Sequence, residues 1–174
     1  MPSVDDKLQS LRVALFSDQR KGGALLLVYP PSDEREFRRK YDEVIQELAV
    51  RNIETAVVDF RLLVFEALEA RGLLEKAFKL DADGDRGAAQ TLTRIAQKEA
   101  EARVLKAAEE SPHAVILCKN TAALFPWMSY SALLERVENV VKNTLVIPFP
   151  GTEAGPALHF LGVKDGYNYR AARI

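Results

Sequence analysis

Ionisable residues stand at the ends of apolar runs in this chain, where the chemistry of an open sheet is usually done. Asp59 closes the run Ile53 to Phe60, and Arg61 follows it. Lys119 and Asn120 follow the run His113 to Cys118. Asp33 comes after Ala24 to Tyr29 through Pro30-Pro31-Ser32, and Thr152-Glu153 come after Thr144 to Phe149 through Pro150-Gly151. Ligands of open parallel sheets bind beyond the carboxyl ends of the strands. Asp33, Asp59, Arg61, Lys119, Asn120, Thr152 and Glu153 are therefore the candidate lining of a strand-end crevice. Asp59 stands where a catalytic acid often stands, but it is read in preference as the cap of a helix beginning near Leu62.

Each familiar chemistry meets an obstacle. A phosphate loop needs glycine amides and a Lys-Ser/Thr, whereas Pro30-Pro31 removes two amides after the first apolar run, and Gly22-Gly23 precede it. No ATP hydrolysis is expected. Asp81, Asp83 and Asp85 resemble the acidic start of a calcium loop, yet Arg86 and Leu92 fall where a glycine and an acid are required. The loop reads as a solvated cap for the helix after it. One cysteine and two separated histidines give no zinc spacing. Cys118 ends an apolar run and behaves as a small hydrophobe there; pairing with His113 or His159 is the lesser reading, and His159 is expected to face outward from an edge strand. The residues present no catalytic constellation, cofactor or metal site. The competing class is a nucleotide- or phosphate-binding enzyme or sensor that uses the crevice.

The surface offers a different possibility. Arg35, Arg38, Arg39 and Lys40 are balanced by Asp33, Glu34, Glu36 and Glu43 and read as a solvated helix face. In the tail, Tyr167, Tyr169, Arg170 and Arg173 interleave aromatic and basic side chains, a composition that fits a binding interface and fits equally tyrosines that close the sheet edge with the arginines left in water. Phe125 and Trp127, flanking Pro126, form a second candidate anchor.

These residues need elements to hold them. Ser3 caps a helix carrying Val4, Leu8, Leu11 and Leu15. Phe37, Tyr41, Val44, Ile45 and Leu48 give an amphipathic helix. Leu62 to Leu68 gives a third, stopped by Gly72, with Leu73 to Leu80 as a short continuation. A long alanine-rich helix spans about 88–110, and Ser129 or Ser131 caps a last one through Val141. Strands are expected at 24–29, 53–60, 113–118 and 144–149, then at 158–163 and 167–173. The order predicts an α/β fold: a mostly parallel sheet with helices on both faces, Rossmann-like or P-loop-like without a phosphate loop, and antiparallel strands at the C-terminal edge.

The 174 residues fit one domain, 1–174. Hydrophobic residues at 48% and charged residues at 28% are an ordinary globular mixture. A net charge of −1 supplies no field for DNA, so direct nucleic-acid binding is not expected. The lone cysteine, the lack of a signal pattern and the lack of a long apolar run predict a cytoplasmic protein without membrane association.

Several segments resemble one family. Asp5-Asp6-Lys7-Leu8 with Leu11 looks like its opening helix, and Val28-Tyr29-Pro30-Pro31-Ser32-Asp33-Glu34 like its first strand and turn. Val58-Asp59-Phe60, Leu62-Leu63 and Leu68 to Glu75 look like its second strand and helix. Phe149-Pro150-Gly151, Gly155, Leu158, Phe160, Asp165, Asn168 to Ala171 and Arg173-Ile174 look like its C-terminal block. In this order they resemble the BrxB proteins of bacterial BREX phage-defence systems. The resemblance implies a non-enzymatic accessory protein, and as partners the other BREX components, above all the PglZ-type alkaline-phosphatase-like protein.

Overall fold

The computed structural model describes residues 2–17, 20, 22–154, 157–167 and 171–174. Helix α1 (Val4–Phe16) opens with a capping box: the Ser3 hydroxyl accepts from the Asp6 amide, and the Asp6 carboxylate accepts from the Ser3 amide. Strand β1 (Gly23–Tyr29) leads through a 3-10 turn at Pro31–Asp33 into α2 (Glu34–Val50). There follow β2 (Thr55–Asp59), α3 (Leu63–Ala70), α4 (Leu74–Ala82) and α5 (Arg86–Glu110). Strand β3 (Val115–Lys119), α6 (Tyr130–Val137) and β4 (Thr144–Ala154) come next. The chain closes with β5 (Ala157–Phe160), β6 (Val163–Tyr167) and β7 (Ala172–Arg173).

The main sheet runs β2-β3-β4-β1-β7, every pairing parallel. Its central strands β1, β3 and β4 are covered on both sides, as their continuous apolar runs require. Leu27, Tyr29, Val115, Leu117 and Val146 pack with α1 and α2 on one face. Leu26, Val28, Ile116, Cys118, Leu145 and Ile147 pack with α3, α5 and α6 on the other. Helix α5 buries Ala88, Ala96 and Ala100 beside Leu92 and Val104. Asp85 caps it by accepting from the Ala88 amide at 2.9 Å, so the acidic loop does act as a helix start.

Two prolines shape the site end of the sheet. The fourth strand does not stop at Phe149, as expected, but continues through Pro150-Gly151 to Ala154. Alternate β4 residues face β1, beginning with Asn143, whose carbonyl accepts from the Gly23 amide. Pro148 and Pro150 therefore turn their nitrogens toward β3, where no N–H is available to donate. The β3–β4 pairing ends at Leu117 and Val146, and the two strands part. The β5–β6 turn enters that gap, with the Leu161 amide donating to the Pro150 carbonyl at 2.9 Å. Proline thus ends one ladder of β4 and leaves its pairing with β1 intact to Tyr29.

The last strands differ from expectation in detail. Residues 158–163 are not one strand, because Leu161 and Gly162 take positive φ of 48° and 85° and reverse the chain. β5 pairs antiparallel with β4, and β6 antiparallel with β5. After two reversals β6 runs in the same sense as β4. The expected strand 167–173 is not continuous: Tyr167 ends β6, and Ala172–Arg173 form β7, parallel to β1, with the Ile174 amide donating to the Leu26 carbonyl at 3.0 Å. The final helix stops at Val137, leaving Val140 exposed.

Candidate functional site

The strand-end crevice is filled by aromatic rings from β1 and α2. Tyr29 stacks on Phe37 at 3.8 Å between ring centres, and Phe37 stacks on Tyr41 at 5.4 Å. Pro30 and Pro31 set this up, since they turn the chain at once into α2 and swing Phe37 back over β1. The Tyr29 hydroxyl donates to Glu34 at 2.5 Å. Burial pushes its ionisation far up, and the Glu34 acceptor adds to the effect. The Tyr41 hydroxyl is buried and has no hydrogen-bond partner. Between these rings, Lys119, Asn120, Thr121 and Pro148, a void of about 10 Å³ remains. That is the space of about one water molecule.

The sequence candidates divide into separate groups around this plug. Asp59, Arg61 and Asn120 come together. Asn120 adopts left-handed geometry at φ 55° and donates from Nδ2 to Asp59 at 2.7 Å. The Arg61 amide donates to the same carboxylate at 2.8 Å. Burial pushes the Asp59 carboxyl up, but these hydrogen bonds and the neighbouring Arg61 and Lys119 outweigh it and hold the group below its ordinary range. Asp59 is not the helix cap expected of it, because α3 begins at Leu63 and its cap position, Leu62, has no side-chain acceptor. Instead the carboxylate ties β2 to the loop after β3. Arg103 of α5 donates to the Asp59 carbonyl at 3.3 Å and pairs with Glu66 of α3.

Lys119 joins a different partner, Asp42 of α2, at 2.6 Å. Asp33 accepts from the Ser32 hydroxyl at 2.9 Å within the turn. Thr152 and Glu153 are exposed on the extension of β4, opposite His159 and Leu158, and do not overhang the crevice. Glu153 instead acts on buried Lys7 of α1, whose ammonium burial pushes down and Glu153 pushes partly back up. Cys118 is fully buried, its thiol pushed up to about 12 by desolvation. His113 is exposed ahead of β3, at the opposite end from Cys118, and half-buried His159 lies within β5 between β4 and β6.

The two interface candidates lie apart from the plug. Phe125 and Trp127 are half-buried and line a cavity of about 230 Å³ with Met128, Phe160, Thr93 and Gln97. Arg173 is exposed on β7. Tyr167 ends β6 with its backbone opposite Ala157, and its side chain, like Tyr169 and Arg170, lies outside the described residues.

Two features were not drawn from the sequence. Asp165 of β6 accepts from the Tyr130 amide at 3.0 Å and the Ser131 amide at 3.4 Å, so a distant strand supplies an acceptor at the start of α6. Exposed Leu62, Phe65, Leu73 and Phe78 form an apolar surface on α3 and α4 beside a groove of about 370 Å³. The helical spacing of Leu74, Ala77 and Phe78 was the available signal. Among the described residues no His, Cys, Asp and Glu cluster could hold a metal ion, and no helix is long and apolar enough to cross a membrane.

The family model for BREX protein BrxB matches residues 56–174. This chain belongs to the BrxB family. The match begins in β2 and takes in the Asp59 network, the proline-bearing β4 and the β5–β6 arm. The BrxB-like segments of α1 and β1 precede the matched span. A BrxB-family chain is a component of BREX phage defence. No curated protein and no solved structure matches the chain.

Proposed function

We propose that this BrxB-family protein is a non-enzymatic adaptor that binds other components of its BREX system, first among them a PglZ-type alkaline-phosphatase-like protein. The observation that carries the reading is the plugged strand end. Tyr29, Phe37 and Tyr41 occupy the place where a sheet of this kind holds a ligand, and about 10 Å³ is left beside them. Binding then falls to the surface. The tail with Tyr167, Tyr169, Arg170 and Arg173 is the first contact, and Phe125 with Trp127 the second. The protein acts in the cytoplasm, where Cys118 stays reduced.

Co-purification with the PglZ-type protein from the same gene cluster tests the proposal. The double change of Arg170 and Arg173 to Ala should weaken capture about thirtyfold, the loss of an anchor worth about 2 kcal/mol. The thermal melt should stay nearly unchanged. Wild-type capture by the double variant would remove the tail from the interface. Magnesium-dependent ATP hydrolysis by the pure protein, lost when a residue of the Tyr29–Asp33 loop is replaced, would overturn the non-enzymatic reading; hydrolysis that survives every such change would mark a contaminant.

A further inference from the structure

Among the described residues the outer edge of β2 has no partner strand. Its inner edge is bonded to β3 through alternate residues. The Glu54 carbonyl accepts from the Val115 amide at 2.8 Å, and the Phe60 amide donates to the Lys119 carbonyl at 3.1 Å. In the parallel register between those bonds, Ala56 and Val58 serve β3 in the same way. The N–H and C=O groups of Thr55, Val57 and Asp59 therefore point away from the sheet. The Asp59 carbonyl is already taken by Arg103. What remains open is a donor and an acceptor on Thr55, the same on Val57, and the lone N–H of Asp59; the two complete donor–acceptor pairs are placed symmetrically about Ala56. The Val57 side chain is 49% exposed. It lies on the face of α1 and α2, opposite to Val58, but those helices do not cover it.

We infer that this edge pairs antiparallel with the same edge of a second copy, about a two-fold axis at Ala56. Under that symmetry Thr55 of each copy faces Val57 of the other. Each such pair exchanges two hydrogen bonds, which uses every open group of Thr55 and Val57 and leaves the Asp59 N–H to solvent. The two Ala56 residues meet at the axis in the non-hydrogen-bonded position, where Cα atoms approach to about 4.5 Å and a methyl group fits. Thr55 against Val57 is a β-branched cross-strand pair that covers the exposed isopropyl group. A long strand from another protein fits less well, because the open edge runs out where Arg103 occupies Asp59. The short stretch matches its own image. This pairing goes beyond the adaptor reading and does not depend on it.

Sedimentation across a concentration series tests it on the full chain. The wild type should show a concentration-dependent dimer. Val57→Pro removes only an outward N–H, and Val57→Lys sets charges near the axis at an exposed position that the fold does not use. Each should weaken dimerisation about tenfold or more, the proline by removing two hydrogen bonds per dimer and the lysine by like-charge repulsion across the axis and loss of the Thr55–Val57 packing. If the proline disturbs the fold, the lysine variant decides. Amide exchange at Thr55 and Val57 should slow with rising concentration, while Ala56 and Val58 stay constant. A wild type that remains monomeric at its highest attainable concentration overturns the inference. So does a dimer that persists in Val57→Lys.

Discussion

Asp59 accepts from Asn120 and from the Arg61 amide, so one carboxylate joins the end of β2 to the left-handed turn after β3. Asp59→Ala should lower stability by about 1 kcal/mol. For a chain of this size that is a melt lower by roughly 2–4 °C. The pH dependence has a definite sign. The folded carboxyl ionises below its ordinary value of 3.8, so its contribution is present at neutral pH and is lost as pH falls through the depressed value. The gap between wild type and Asp59→Ala should therefore close below about pH 3.8, as read from melts in acid. Tyr41 makes the opposite case. Its buried hydroxyl has no partner, so Tyr41→Phe removes an unsatisfied group and should raise stability by about 1 kcal/mol. A lower melt would mean that the hydroxyl is bound.

At the scale of elements, β4 carries the most consequence, and its course was the least legible. The sequence reads as a strand that holds Pro148 and ends at Phe149, just before Pro150. These prolines forbid a ladder on one side only, and the sequence does not say which side is needed. The strand can thus serve β1 while opening toward β3. Gly151 is the point where β5 comes closest. A Cβ there would stand 2.2 Å from the His159 carbonyl oxygen and 2.7 Å from the Phe149 ring. Gly151→Ala should therefore cost about 1–3 kcal/mol, measured by urea unfolding. The apolar runs of β1 to β3 and the α1 capping box were legible, since each is a local pattern, and the α6 cap was narrowed to Ser129 or Ser131, of which Ser129 takes the position. The Asp165 contact with α6 was not, because its two ends lie 35 residues apart and no local pattern links them. Of the crevice set, Asp59, Arg61 and Asn120 meet, while Lys119 pairs with Asp42, on a helix that strand-end reasoning does not reach.

Across the whole molecule, the order β2-β3-β4-β1-β7 sets early sequence beside late sequence. Gly23 to Tyr29 lie against Thr144 to Pro150 on one side, and Leu25 and Leu26 against Ala172 and Arg173 on the other. Neither neighbour of β1 is made until about 120 residues after it. On a ribosome adding about 5–20 residues per second, that interval is on the order of ten seconds. Throughout it, Ala24-Leu-Leu-Leu-Val28 has α1 and α2 for company and no strand on either edge. Nascent chains arrested ahead of β4 should accordingly be cut by dilute protease within β1, and chains released after β7 should resist. An unfinished copy thus exposes the kind of surface that chaperones hold, and its lifetime in that state is set by translation speed more than by the folding rate of the finished protein.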